Sequence, residues 1–287
     1  MDAQSTTPID VFLHIEKTGG STLRTLLHEE YAGQFLKLYY RKQGLELPDV
    51  VADLRAMSPS QWSEYRLVFG HVGFGIHHEI PRPVRYFSLA RHPVEMLMSQ
   101  YLHSRRVAGA AHHEAAVSYS LAECLRRELV PEWINPMVWN LSGARWRMEM
   151  RQRGDDPVDE SSLADAIHNL DAFCVVGLTE RYDESVAAMR SLLGWRQVMY
   201  TTSNVGPSPS WRRDPELRRE LTALVELDLQ LYATAEQRFD KLWAEHEAEF
   251  RRSMETTRWA QRRHMWWVTA GRKWRLLGKL ARANERP

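Results

Sequence analysis

Near the start of the chain, Lys17-Thr18-Gly19-Gly20-Ser21-Thr22 has the composition of an anion-binding turn. It follows the apolar run Val11 to Leu13 and precedes a helical pattern. Adjacent glycines allow a sharp turn with exposed amides, and a helix start aims further unpaired N–H groups at the same point. Lys17 adds a point charge, while Thr18, Ser21 and Thr22 add hydroxyls. The chemistry this serves is the holding of a phosphate. Residue order narrows the reading. The nucleoside triphosphate loop carries its lysine and magnesium-binding hydroxyl after the second glycine, whereas Lys17 precedes Gly19. Such a turn holds one phosphate with a lysine over its outer bond, which argues against an ATPase or a kinase.

Two later segments add side chains of the right type. Val84 to Leu89 alternates as a strand, and Arg91-His92-Pro93 ends it before an amphipathic helix from Val94 through His103, with Pro93 in the first turn. An arginine there can grip a phosphate through two hydrogen bonds and a serine can fill another oxygen; read alone, Arg91 is equally a surface charge and Ser99 a helix-face residue. Leu67-Val68-Phe69-Gly70-His71-Val72-Gly73-Phe74-Gly75 reads as a strand running into a glycine-rich loop. His71 therefore emerges at a strand end, where open α/β sheets keep their sites, and imidazole titrates near neutral pH.

Together these segments resemble the sulfotransferases that use 3′-phosphoadenosine 5′-phosphosulfate (PAPS). Their first nucleotide motif reads close to H-I-P-K-x-G-G-[ST]-[ST], similar to His14-Ile15-Glu16-Lys17-Thr18-Gly19-Gly20-Ser21-Thr22. Their second reads R-[DNH]-P followed by a serine and a tyrosine, here Arg91-His92-Pro93 with Ser99 and Tyr101. The pattern is most similar to the carbohydrate sulfotransferases of the heparan sulfate 2-O-sulfotransferase group and their bacterial relatives, which carry a G-H-V stretch between the two motifs. The resemblance covers roughly Val11 to Phe239. It implies a P-loop-like three-layer fold, with a central parallel sheet flanked by helices, and PAPS as co-substrate. By the same resemblance Thr18, Gly19, Gly20, Ser21 and Thr22 hold the 5′-phosphate, and Lys17 stabilises the bridging oxygen of the departing nucleotide. Arg91 and Ser99 bind the 3′-phosphate, and His71 takes the proton of the acceptor hydroxyl. The implied acceptor is a carbohydrate or glycolipid; a secondary-metabolite or lipid hydroxyl, and a nucleotide-binding scaffold without turnover, stay open. The chain departs from the pattern at Glu16, which replaces proline and sets a carboxylate near the anion. It departs again at Phe69, where that group has a second histidine, so help from a second imidazole is expected to be absent. In relatives a loop near Thr201 to Arg213 closes on the nucleotide. Asn204, Arg212 and Arg213 therefore either touch adenine or the 3′-phosphate, or belong to a solvated loop.

The elements that must position these residues follow from periodicity. Strands are expected at Val11 to Ile15, Leu67 to Phe69, Val84 to Leu89 and Phe173 to Leu178, alternating with helices, which implies an α/β fold with a parallel sheet. A helix follows from Asp183 through Leu193, and a longer one runs from Pro215 to about Glu247 with Asp228 on its apolar stripe, where an internal ion pair is expected. Tyr119 to Leu129 and Trp133 to Trp146 read as aromatic-rich helices, the region expected to choose the acceptor. Trp133, Trp139 and Trp146 either line a sugar-binding face or, the preferred reading, belong to the core.

With 287 residues and 44% apolar composition, the chain can bury a full core as one domain, 1–250, followed by a tail, 251–287. Cys124 and Cys174 read as buried thiols in a reducing cytoplasm. No secretion signal and no apolar run of bilayer length is present. His77-His78 and His112-His113-Glu114 lack metal-ligand spacing, so no metal is assigned. The tail carries 11 Lys and Arg against 2 Glu, leaving the preceding region net acidic, and Trp259, Trp267, Ala270, Trp274, Leu277 and Ala281 fall on one helical stripe. Such a helix lies on an anionic membrane or acidic glycan, or packs onto the acidic body. Nucleic acid is disfavoured by that acidic body and by the lack of a recognised module.

Overall fold

The computed structural model describes residues 7–39, 46–151, 158–197, 200 and 210–258. Five strands lie among them: β1 (Ile9–Leu13), β2 (Phe35–Leu38), β3 (Leu67–Gly70), β4 (Val84–Ala90) and β5 (Phe173–Leu178). All pair in parallel, in the order β2-β3-β1-β4-β5. The α/β reading with a central parallel sheet is thus what the chain adopts. β1 is buried along its whole length, as a central strand covered on both faces must be. Its one charged residue, Asp10, accepts from Tyr31 Oη at 2.6 Å and Arg85 Nε at 2.8 Å, so the buried carboxylate is partnered.

Helices join the strands. α1 (Gly20–Glu30) leads from β1 to β2, and α2 (Leu47–Ala56) and α3 (Pro59–Ser63) lead from β2 to β3. Between β4 and β5 come α4 (Pro93–Arg106), α5 (His113–Ser118), α6 (Leu121–Arg126), α7 (Pro136–Leu141), α8 (Ala144–Arg151) and α9 (Glu160–Asn169). After β5 follow α10 (Tyr182–Leu193), α11 (Pro215–Leu224) and α12 (Glu226–Glu245). Right-handed crossovers send α1, which carries the chain from β1 toward the β2 edge, to the face opposite the connections that run toward β5. The side chains agree. Phe12, Phe69 and Phe87 share one register and meet His28 of α1 and Trp195 beyond α10. Tyr86, one residue out of phase, packs instead with Phe74 and Phe173.

Three elements differ from the sequence reading. β2 is absent from it; this four-residue edge strand, Phe35-Leu36-Lys37-Leu38, buries only its last residue and is too short to show a period. The helix expected from Pro215 to Glu247 breaks at Val225 (φ −117°, ψ 32°), because its two parts serve different cores. Leu221 and Val225 enter a second apolar cluster with α4 and α6, while Leu231 and Phe239 enter the main one. Asp228 is fully buried but makes no ion pair among the described residues: its carboxylate accepts from Met137 N at 3.0 Å and Val138 N at 2.8 Å, at the start of α7. A helix N-terminus takes the place of the expected cationic partner. Residues 251–258 remain helical, and Arg190 of α10 donates to Ser253 and Thr257 there. The tryptophan stripe beyond lies outside the described residues, among which no helix is long and apolar enough to cross a membrane.

Candidate active site

Each of the five strands delivers a residue to the same end of the sheet. Tyr39 follows β2, His71 follows β3, His14 to Lys17 follow β1, Arg91 follows β4 and Thr179 follows β5. Because the chain leaves β1 and β3 toward opposite faces, a crevice opens beyond their carboxyl ends. It is a cleft of about 1730 Å³, bordered by Lys17, Gly19, Gly20, Ser21, Thr22, His71, Arg91, Ser99 and Arg212. Thr18 does not border it, and Asn204 lies outside the described residues.

The turn after β1 is fixed by backbone strain and by bonds to its neighbours. Lys17 and Gly19 both take left-handed conformations (φ 65° and 90°), a geometry that costs little for glycine and more for lysine. Gly20 is needed for a different reason: a Cβ there would stand 2.1 Å from His14 Nε2. Thr18 is fully buried, with its hydroxyl donating to the Ile15 carbonyl at 2.8 Å. That hydroxyl folds the turn and is not presented to a ligand. Thr179 Oγ1 bridges the Thr18 and Ala90 carbonyls at 2.6 and 2.9 Å, and Arg91 Nη1 donates to the Lys17 carbonyl at 2.9 Å. The turn is thereby tied to β4 and β5. α1 begins at Gly19 without a side-chain cap and without an acidic residue in its first turn, so its positive end faces the cleft uncompensated. Burial pushes the Lys17 ammonium below the usual lysine range; nearby Glu16 opposes this, and Arg106 and Arg91 add to it. Cations packed together in this way favour an anion among them.

Arg91 and Arg212 lie on the cleft together. Burial holds the Arg91 guanidinium below its ordinary range, and Arg212 adds to that effect while Glu180 and Glu95 oppose it. Arg212 is set by an ion pair with Glu95 of α4, whose other oxygen takes Arg218 at 2.7 Å. The expected loop residue Arg212 is therefore brought to the site, whereas Arg213 is exposed and does not border the cleft.

At the other side, His71 Nδ1 stands 2.9 Å from Glu16 Oε1. The ring of His14 lies 4.7 Å from that of His71 and the ring of Tyr39 also 4.7 Å, and His14 Nδ1 is 2.8 Å from Tyr39 Oη. The expectation that no second imidazole is present is corrected: one comes from the end of β1, not from position 69 on β3. The signal is there in principle, since Leu13 pairs with Gly70 and parallel register places His14 beside His71. Although 52% of the Glu16 side chain is reached by solvent, that surface opens into the cleft. Burial there raises its carboxyl, but the bond to His71 and the charges of His71, Arg145 and His14 outweigh this and bring it down to about 2.

The far wall comes from the end of α4 and from α7 and α8, including Arg106, Val107, Trp133, Ile134, Trp139 and Arg145. Trp133 is buried in the second cluster yet borders the cleft; Trp139 is partly exposed, with the Arg145 guanidinium 5.0 Å from its ring centre. Trp146 packs on Gly75, where a Cβ would meet it at 2.6 Å. The core reading fits Trp133 and Trp146, whereas Trp139 presents its ring to the cleft. Arg106, beyond the helix end expected at His103, acts on Lys17 across the cleft. His77 pairs with Tyr86 Oη at 2.9 Å and His112 with Glu132.

No family model matches the chain, and no curated protein matches it either. Among solved structures, the chain is similar to a sulfotransferase from Alicyclobacillus acidocaldarius at 17% identity, over 81% of this chain and 96% of that one, with a TM-score of 0.43.

Proposed function

We propose that this chain is a PAPS-dependent sulfotransferase acting on a hydroxyl of a carbohydrate or glycolipid. The observation that carries the reading is the convergence of the Lys17 to Thr22 turn with Arg91, Arg212 and His71 on one cleft at the strand ends. The donor fits the residues present. It carries negative charge at both ends, and the cleft offers an uncapped helix start with Lys17 in one place and two arginines in another. Gly19, Gly20, Ser21 and Thr22 would hold the 5′-phosphate by backbone and hydroxyl donors, with Thr18 contributing only through its main chain. Arg91, Ser99 and Arg212 would hold the 3′-phosphate; Asn204 stays an expectation from the sequence.

PAPS supplies the activated sulfuryl group, and the protein supplies position and electrostatics, as in phosphoryl transfer. His71 takes the proton of the acceptor hydroxyl, and Lys17 faces the oxygen on which negative charge develops. No metal is assigned a role, since cations already stand where charge builds. The far wall offers rings and apolar side chains for an acceptor. Sulfation of a secondary-metabolite or lipid hydroxyl uses the same machinery. The basic tail 251–287 is proposed as a peripheral contact with anionic membrane.

Calorimetry with adenosine 3′,5′-bisphosphate tests donor binding, and transfer of labelled sulfate to a panel of glycans, glycolipids, lipids and phenols tests turnover. Heat with the bisphosphate and label on a sugar are expected. Absence of heat at millimolar bisphosphate overturns the reading, and binding without transfer to any acceptor moves it to a scaffold.

A further inference from the structure

Glu16 occupies the position at which the resembling motif has proline, and the sequence alone suggests that its charge would only weaken anion binding. The structure gives it another task. Its Oε1 lies 2.9 Å from His71 Nδ1, and its Oε2 accepts from Gln100 Nε2 of α4 at 3.2 Å. Both oxygens are engaged, which turns the carboxylate toward the imidazole. The left-handed Lys17 next in sequence sends the chain into the anion-binding turn immediately after Glu16, so the two side chains serve neighbouring parts of one cleft.

A carboxylate accepts hydrogen bonds and donates none, so the nitrogen it faces must carry the proton. We propose that Glu16 is a positioning residue: it holds the Nδ1–H of His71, fixes the tautomer that leaves Nε2 as the base, and stabilises the imidazolium formed in transfer. The proposal rests on the reading of His71 as the base. In the step, the acceptor O–H breaks and its proton goes to Nε2, while the acceptor oxygen forms a bond to sulfur. The bond from sulfur to the bridging oxygen breaks, and its electron pair leaves with the nucleotide phosphate beside Lys17. Among the described residues, the groups facing His71 are Glu16 from the turn, His14 from the end of β1 and Tyr39 from the end of β2, with Arg145 of α8 acting on Glu16. Of these only Glu16 brings negative charge, so it is the group that favours a protonated ring.

The test uses the full chain. In the ligand-free wild type, nitrogen NMR of His71, assigned by its loss in His71→Asn, should report the neutral ring protonated on Nδ1. A neutral ring protonated on Nε2 overturns the proposal without any variant. In Glu16→Leu, which keeps bulk but offers no acceptor, the share of neutral ring protonated on Nδ1 should fall. Turnover should fall ~10 to 100-fold, the usual effect of removing a partner that orients a functional histidine. Bisphosphate affinity should hold or rise. An unmoved tautomer ratio, or unmoved turnover with a moved ratio, overturns the positioning role. Failure of the sulfotransferase reading shows separately, as absence of bisphosphate binding and sulfate transfer by the wild type.

Discussion

The cleft has two walls built by different means. The near wall is five strand ends and one turn, tied together by main-chain carbonyls: Lys17 O to Arg91, Thr18 O and Ala90 O to Thr179. The far wall is the end of α4 with the short helices α7, of 6 residues, and α8, of 8, backed by α5 and α6 of 6 residues each. Helices of that length do not hold by themselves in water. They persist because they are packed: Leu121, Cys124, Leu125, Val130 and Trp133 share a second apolar cluster with α4 and with Leu221 and Val225, while Met137, Val138 and Leu141 of α7 and Trp146 of α8 join the main one. A wall fixed through backbone bonds to a sheet suits chemistry common to many acceptors. A wall fixed by side-chain packing changes shape with each substitution, which suits selection of an acceptor.

The largest expected effects lie on the near wall, and they should separate. His71→Ala removes the proposed base and should cut turnover ~100 to 10,000-fold while sparing bisphosphate affinity. Lys17→Ala should cut turnover by a comparable amount, roughly 3 kcal/mol of lost charge stabilisation, and weaken the bisphosphate as well. Single-turnover assays beside calorimetry distinguish the two. If His71→Ala weakens the nucleotide as much as Lys17→Ala does, the division of labour within the near wall is wrong.

A smaller effect is expected across the cleft. Trp139→Ala removes a partly exposed ring from the proposed acceptor side, while the neighbouring Arg145 guanidinium keeps its bonds to Glu149 and Asn140. It should raise the acceptor KM about tenfold, in the range of one lost aromatic contact, without changing bisphosphate affinity. Equal losses for donor and acceptor would mean that the walls do not divide the two substrates.

The same contrast governs what is legible in the sequence. Lys17, Gly19 and Gly20 announce themselves because φ restrictions and anion binding need those residue types within a few positions, and β4 and β5 announce themselves by apolar runs. Local pattern marks Gly20 only as a turn residue; its closeness to His14 depends on how far the β1 end reaches, which no local pattern encodes. Placing His14 and Tyr39 around His71 requires the register of β1, β2 and β3, a tertiary fact. Asp228 on the apolar stripe of α12 is visible as a buried charge, but its partner is the main chain of a helix some ninety residues earlier. The break at Val225 depends on there being two apolar clusters, and composition does not divide them.

Asp228 offers the smallest effect and the cleanest probe of the far wall. Burial pushes its carboxyl up to about 7, against the lowering influence of the Val138 and Met137 amides, from 3.8 in the unfolded chain. The folded state therefore keeps a proton that the unfolded state releases between about pH 4 and 7, so this residue's contribution to stability is full below that window and declines as pH rises through it. Asp228→Asn cannot titrate, and its amide must turn an NH2 toward one of two N–H donors, losing one buried hydrogen bond. At pH 5 the variant should be less stable by about 1 to 3 kcal/mol. At pH 8 the gap should narrow, because only the wild type has lost stability on the way. Denaturant melts of both proteins from pH 4.5 to 8 check this, and parallel curves would show that the buried carboxyl does not titrate in that window. Bisphosphate affinity of the folded variant should be unchanged, since the hydrogen bonds of Asp228 tie α7 to α12 and do not reach the turn after β1.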